Sequence, residues 1–332
     1  MDHKPALQLV EKSRWHEQDI KTDVIRAFSE GAPAMEIDVR ADISGRLYVH
    51  HADKLPNGLL LSRSHAEQLG DVPLLSDILS VLAEFPSAHL VIELKTMGSI
   101  AEQPEVMSRL VCLLNKEHVI NRVSIASLSP SLLLAAHATM PTLPLILNAG
   151  WTPCISYPCG RFGKNIAKRL ESGRGWFTLG THKSFVVIAS GRGALRYPME
   201  GGADGCGHTN LYALTQFPEQ LIEVLREQTE AGYPYGGAAS VANSTASSSF
   251  LRKLKLNKWA YQVSNRAIQT VHDLGMNAQT TTWGTINKET TIQGWQPFAQ
   301  IQQMIADGLS DGDVVYTRGS GQLVTEYGRL ES

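Results

Sequence analysis

A repeated alternation of short apolar runs with amphipathic stretches constrains the fold of this chain more than any other feature. Pro5 to Trp15, with Leu7, Leu9 and Val10, reads as a first strand that delivers Trp15 and His16 at its end. From Asp19 to Glu30, Ile20, Val24, Ala27 and Phe28 fall at helical spacing, and Gly31 and Pro33 stop the pattern. Ala34 to Val39 is strand-like, Pro73 to Phe85 carries Leu75, Ile78, Leu79 and Leu82 on one helical face, and His89 to Leu94 reads as a buried strand. The rhythm continues with a helix over Val106 to Leu114, a strand over Val123 to Ser127, a helix over Leu132 to His137 and a strand over Leu145 to Asn148. Trp176 to Leu179 and Phe185 to Ala189 are strand-like within a Gly-rich, basic middle. Phe217 to Arg226 and Ala267 to Leu274 are helical, Ala278 to Trp283 is a strand, Phe298 to Ala306 a helix, and Asp313 to Thr317 the last strand. Strands alternating with helices at this spacing predict a parallel α/β sheet, and about eight such units predict a (β/α)8 TIM-type barrel. One domain over 1–332 is the expected organisation. Lys54 to Asp71 reads as a polar insertion, and the small-residue tract Gly236 to Ser249 as a flexible loop or lid.

Composition narrows the partners. With 332 residues, 43% hydrophobic and 19% charged, the chain can bury a large core. A formal net charge of −2 argues against a broad basic footprint for nucleic acid and in favour of small-molecule partners. The first 30 residues carry charges throughout, and no run approaches the roughly 18 apolar residues of a membrane span. Cys112, Cys154, Cys159 and Cys206 make no disulfide framework. A cytoplasmic protein with no membrane span and with buried, inert thiols is expected.

The stretch Ala34 to Asp53 concentrates the chemistry. Glu36 and Asp38 are two apart on a strand and so share one face, where two carboxylates make a cation site. Asp42-Ile43-Ser44-Gly45 supplies turn chemistry, and Arg46 to His51 rises as a second β-rich run ending in His50 and His51. Glu93 and Lys95 close the strand that begins at His89, again two apart and on one face.

His16, Glu36-Ile37-Asp38 twenty residues on, His51 fifteen beyond that, and Glu93-Leu94-Lys95 together resemble the glycerophosphodiesterase superfamily, particularly its sphingomyelinase D-like branch. In that branch one His ends the first barrel strand, an E-x-D pair the second, another His the third and a D/E-x-K a later one. Leu274-Gly275, Thr282-Trp283 and Gly312 to Thr317 resemble the family's C-terminal segments. The His-Arg-Gly opening of glycerophosphodiesterases is absent, since Glu17 follows His16, as are the loop cysteine pair and Asn-Pro-Trp tail of sphingomyelinase D toxins. Elimination favours the neighbourhood of agrocinopine synthase, which joins sugars through a phosphodiester.

The resemblance implies Glu36, Asp38 and Glu93 as ligands of Mg²⁺, whose hard-oxygen preference they suit, with the ion neutralising charge on the phosphoryl group. The competing reading makes Glu36 and Asp38 structural ion-pair partners of Arg40 or Lys95. His16 and His51 form the implied catalytic pair: one deprotonates the attacking hydroxyl or attacks phosphorus itself, and the other protonates the leaving oxygen. Either histidine suits either role. His50 falls to the opposite face and is expected in the barrel wall. Asp53 is expected to orient His51 or to start a turn. Lys95 is expected to contact the carboxylates and a phosphate oxygen, Trp283 to wall the site or pack in the core, and Arg318 to contact phosphate. The substrate expected is a small phosphodiester or sugar phosphate, and the reaction phosphodiester transfer. Glycerophosphodiester hydrolysis and sphingomyelinase D-like phospholipid cleavage are alternatives within the superfamily. A barrel glycosidase using Glu36 and Glu93, or an inactive sugar-phosphate-binding protein, are alternatives of a different class.

Other patterns carry less. Gly160 to Lys164 lacks the Walker spacing and the Ser/Thr after Lys. Gly191-Arg192-Gly193 and Thr181-His182-Lys183 read as solvated loops, and Cys154, Cys159, Cys206 and His208 are too loosely spaced for a zinc site.

Overall fold

The computed structural model of the chain describes residues 8–12, 20–95, 104–149, 176–181, 184–189, 195–196, 218–242, 268–269, 271–286, 292–293 and 311–317. The chain divides into two compact units, Met1–Leu147 with Glu227–Ala238 and Val314–Ser332, and Asn148–Arg226 with Ala239–Asp313.

The first unit is α/β. Its elements follow one another as β1 (Gln8–Lys12), α1 (Ile20–Ser29), β2 (Ala34–Ala41), β3 (Leu47–Val49), a 3-10 turn (Leu61–Arg63), α2 (Ala66–Leu69), α3 (Leu75–Glu84), β4 (His89–Leu94), α4 (Pro104–Lys116), β5 (Val123–Ser127), α5 (Pro130–Thr139) and β6 (Leu145–Ala149). β1 pairs with β2, β2 with β4, β4 with β5 and β5 with β6, all parallel. Each parallel strand thus lies beside its predecessor, with no reversal of order. The expected strands over His89–Leu94 and Val123–Ser127 are found with those bounds.

Burial on both faces explains why these strands read as near-continuous apolar runs. Every residue of β4 is buried. One face of the sheet carries Met35, Ile37, Leu90, Ile92 and Ile125, all essentially without solvent exposure. On the other, Ala34, Val91, Ala126, Ile146 and Ala238 make a second core cluster. Its alternate positions also bear Glu36, Asp38 and Glu93.

Helix α1 forms where the sequence places Ile20, Val24, Ala27 and Phe28 on one side, and all four are buried. On its other side Arg26 pairs with Asp23 at 2.7 Å and Glu30 at 2.8 Å, spacings that meet across one helical turn. Gly31, at φ 90°, ends it in a conformation that costs a residue with a Cβ more than it costs glycine. Phe28 meets Phe85, just beyond α3, with ring centroids 5.6 Å apart. Arg122 donates to the carbonyls of Leu82 and Phe85 at the end of α3, and the Ser129 hydroxyl with Pro130 behind it opens α5.

Three expectations change in this unit. Residues 54–71 are more than a polar insertion: Leu55, Leu61 and Leu69 bury themselves with Tyr48 in a small core of their own. Cys112, on α4, is exposed rather than buried. His50 lies beyond the end of β3 rather than in a strand, with its Nδ1 2.6 Å from the Ala52 carbonyl oxygen.

In the second unit β7 (Trp176–Thr181), β8 (Ser184–Ala189) and β9 (Leu195–Arg196) form an antiparallel sheet, so the two middle strands seen in the sequence pair as a hairpin. Helix α6 (Glu219–Glu230) and strand β10 (Ala238–Ala242) follow, with Glu227–Ala238 belonging to the first unit. β10 occupies part of the tract expected to be a loop. Small residues signalled flexibility there, yet Ala238 is buried in one core cluster with Ala34, Val91, Ala126 and Ile146. β11 (Asn277–Ile286) pairs antiparallel with β12 (Ile292–Gln293), and β13 (Gly312–Thr317) ends the described chain. The expected helix over Phe298 to Ala306 and positions 243–249 lie outside the described residues. Among the described residues, no helix is long and apolar enough to cross a membrane.

Candidate active site

Strand parity and register build the site. Glu36 and Asp38 share a face of β2, and the parallel register sets Asp38 beside Glu93 of β4. One ligand atom from each of Glu36, Asp38 and Glu93 lies within 4.8 Å of the others, and all three residues are buried. Lys95 enters this cluster from the end of β4, its Nζ 2.6 Å from Glu93 Oε1 and 3.1 Å from Asp38 Oδ1. The ion pair weighed against the metal site in the sequence is therefore present, and it involves Lys95. Hard carboxylate oxygens without a thiolate among them fit a divalent cation.

His51 reaches the cluster through a hairpin. Asp42 organises the turn: its Oδ1 accepts from the Ser44 amide, the Ser44 hydroxyl and the Arg46 amide, and Gly45 takes φ 79°. β3 then runs back antiparallel to β2, with Val49 opposite Val39, and His50 N–H donates to the Asp38 carbonyl. This return brings His51 Nδ1 to 2.6 Å from Asp38 Oδ2. β3 is a hairpin partner of β2, and the next parallel strand is β4, so His51 follows a hairpin strand rather than ending the third barrel strand.

Asp38, expected as a metal ligand or as an ion-pair partner of Arg40 or Lys95, holds the His51 ring. Asp53, the carboxylate expected to do so, accepts instead from the amide and hydroxyl of Ser62, both at 2.9 Å. Arg40, two residues after Asp38, donates from Nε to the His51 carbonyl oxygen at 2.8 Å. Burial lowers the Arg40 pKa, while Asp53, Asp38 and Glu93 pull it back up. The sequence showed Arg40 only as an ion-pair partner; its parity with Asp38 was the available signal.

Of the other expected site residues, His16 and Arg318 lie outside the described residues. Trp283 falls within β11, in the second unit, with its side chain outside the described ones.

No family model matches the sequence, and no curated protein does. Solved structures do. The chain is similar to a glycerophosphodiester phosphodiesterase from Parabacteroides distasonis, at 12% identity over 99% of each chain with a TM-score of 0.53. It is also similar to a phosphodiesterase from Oleispira antarctica determined in complex with its product sn-glycerol-3-phosphate, at 13% identity over 98% of each chain with a TM-score of 0.51. The fold is that of glycerophosphodiester phosphodiesterases. Within this fold the Glu36, Asp38, Glu93, Lys95 and His51 cluster gathers acidic, basic and imidazole groups on one face of a parallel sheet.

Proposed function

We propose that the protein is a divalent-cation-dependent phosphodiester enzyme, a single closed (β/α)8 barrel that acts on a small sugar or polyol phosphodiester. The observation that carries this reading is the juxtaposition of His51, held by Asp38, with the carboxylates of Glu36 and Glu93 and the ammonium of Lys95. The barrel is supported by the sequential order β1, β2, β4, β5, β6, since a doubly wound sheet reverses direction.

Glu36, Asp38 and Glu93 would hold Mg²⁺, which when bound supplies charge neutralisation at the phosphoryl oxygens. Lys95 holds the carboxylates in place and offers its ammonium to a phosphoryl oxygen. With Nδ1–H donated to Asp38, His51 exchanges a proton through Nε2, and the buried carboxylate stabilises the imidazolium. A hydroxyl oxygen bonds to phosphorus and loses its proton to one histidine. The bond from phosphorus to the leaving oxygen breaks, and that oxygen takes a proton from the other. His16 is the second histidine in this scheme.

The absence of Arg-Gly after His16 supports a substrate other than an ordinary glycerophosphodiester, and formation or exchange of a sugar phosphodiester fits. Hydrolysis of a glycerophosphodiester is the second reading, supported by the fold and by the product glycerol phosphate in the Oleispira relative. Phosphorus NMR separates them. With Mg²⁺, glycerophosphodiesters and sugar-phosphate mixtures are incubated with protein; new phosphodiester signals indicate transfer, cyclic phosphate indicates internal attack, and phosphomonoester indicates hydrolysis. Spectra that stay unchanged with Mg²⁺, or change equally in excess chelator, would defeat the proposal.

A further inference from the structure

Two residues on one face of β2 grip the same histidine by different atoms. Asp38 accepts from the ring Nδ1 at 2.6 Å, and Arg40 Nε donates to the backbone carbonyl at 2.8 Å. β3 ends at Val49, and its pairing with β2 ends there too. Beyond it, the His50 amide still bonds to the Asp38 carbonyl, but the chain then turns away toward the contact of Asp53 with Ser62. His51 therefore sits where regular strand pairing has stopped. A ring bond alone leaves the peptide unit free to rotate under it, and a backbone bond alone leaves the ring torsions unset. The pair fixes both.

The geometry points to Arg40 as a positioning residue, one that pins the His51 peptide so that the imidazole meets Asp38 and the substrate in a single orientation. This rests on the reading above that His51 moves a proton. Arg40 is suited to it because its Nε–H sits at the base of the planar guanidinium, where the His51 carbonyl lies. A direct contact between the Arg40 charge and substrate phosphate is the rival role, and the side-chain isosteres separate the two. Glutamine carries an N–H donor at the stem position of arginine Nε and no charge, lysine keeps the charge one bond farther out, and methionine keeps neither.

The test uses the full chain labelled with ¹⁵N-histidine. The Nδ1–H proton of His51, identified by its loss in His51→Gln, reports ring position without any need for turnover. Arg40→Met is expected to shift or broaden that resonance and to lower kcat on the order of 10- to 100-fold with little change in KM. Arg40→Gln is expected to recover most of both. The inference is overturned if Arg40→Met keeps the parental resonance and kcat, or if lysine restores activity where glutamine does not and the loss lies in KM. Should Arg40→Met fail to fold by circular dichroism, the glutamine and lysine variants decide by the same readouts. A parent protein with no activity on any phosphodiester sinks the functional reading alone, and the resonance still decides the role of Arg40.

Discussion

The sheet of the first unit holds a histidine cluster toward each end, and the two are chemical opposites. Toward the C-terminal end of β4, His51 keeps 31% of its side chain exposed and bonds to a carboxylate within a group of charges. At the first residue of β4, His89 is 7% exposed, bonds through Nε2 to the Ser124 hydroxyl at 2.8 Å and stacks on the Tyr235 ring at 4.7 Å. Burial, with the Arg122 charge adding to it, pushes the His89 pKa down to about 4, so this ring is neutral at ordinary pH. Burial also lifts the Tyr235 hydroxyl to about 12. Between them lies the apolar layer of Ala34, Val91, Ala126, Ile146 and Ala238. The same strands thus support one end where charged side chains gather and one where burial keeps the imidazole neutral. What separates the two histidines is the neighbour: a carboxylate at one end, a hydroxyl and an aromatic face at the other.

That contrast is open to four tests. His51→Ala should lower phosphodiester turnover on the order of 10³-fold while leaving circular dichroism unchanged; a variant that keeps parental turnover would equate the two ends. Lys95→Met should cost on the order of 10²-fold in the same assay, because the carboxylates lose their fixed cation and the phosphoryl group its ammonium. Its denaturant midpoint should fall as well, since buried carboxylates are left without that counterion.

Acid should act on the opposite end. The folded His89 pKa lies below the unfolded value of about 6.5, so the unfolded chain takes up the proton first. Stability from this group is complete above that value and declines as pH falls to about 4, by about 3 kcal/mol. Urea unfolding across this range measures it, and His89→Gln should flatten the acid slope. The smallest effect is expected from Ser124→Ala, which removes the partner of His89 Nε2 and should destabilise by about 1 kcal/mol, with kcat unaltered. A large loss of turnover in that variant would show the two ends to be coupled.

Much of this was legible from local pattern. Two-residue spacing put Glu36 with Asp38 and Glu93 with Lys95 on common faces, because strand periodicity admits no other arrangement. The runs His89–Leu94 and Val123–Ser127 announced strands because both of their faces are buried. Long-range partners were less legible. Asp53 stands two residues from His51 and was the natural candidate to orient it, but the hairpin returns the chain so that Asp38, thirteen positions back, takes the ring. Tyr235 gave no sign of its stacking on His89, because that contact depends on a left-handed residue at φ 51° leading into β10. The tract before Ser249 looked too small-featured for a strand, because the core cluster that buries Ala238 is assembled from the distant strands β2, β4, β5 and β6.

The sequence by itself determined the alternation of the main strands and helices from Ile20 to Ala149 and the shared faces of the acidic residues, since these depend on neighbours within a few positions. Only the tertiary structure decided which carboxylate holds His51, where Lys95 places its charge and that Arg40 reaches the His51 backbone. Those depend on pairing register and on a hairpin's return, and residue types in a line do not encode the distances that result.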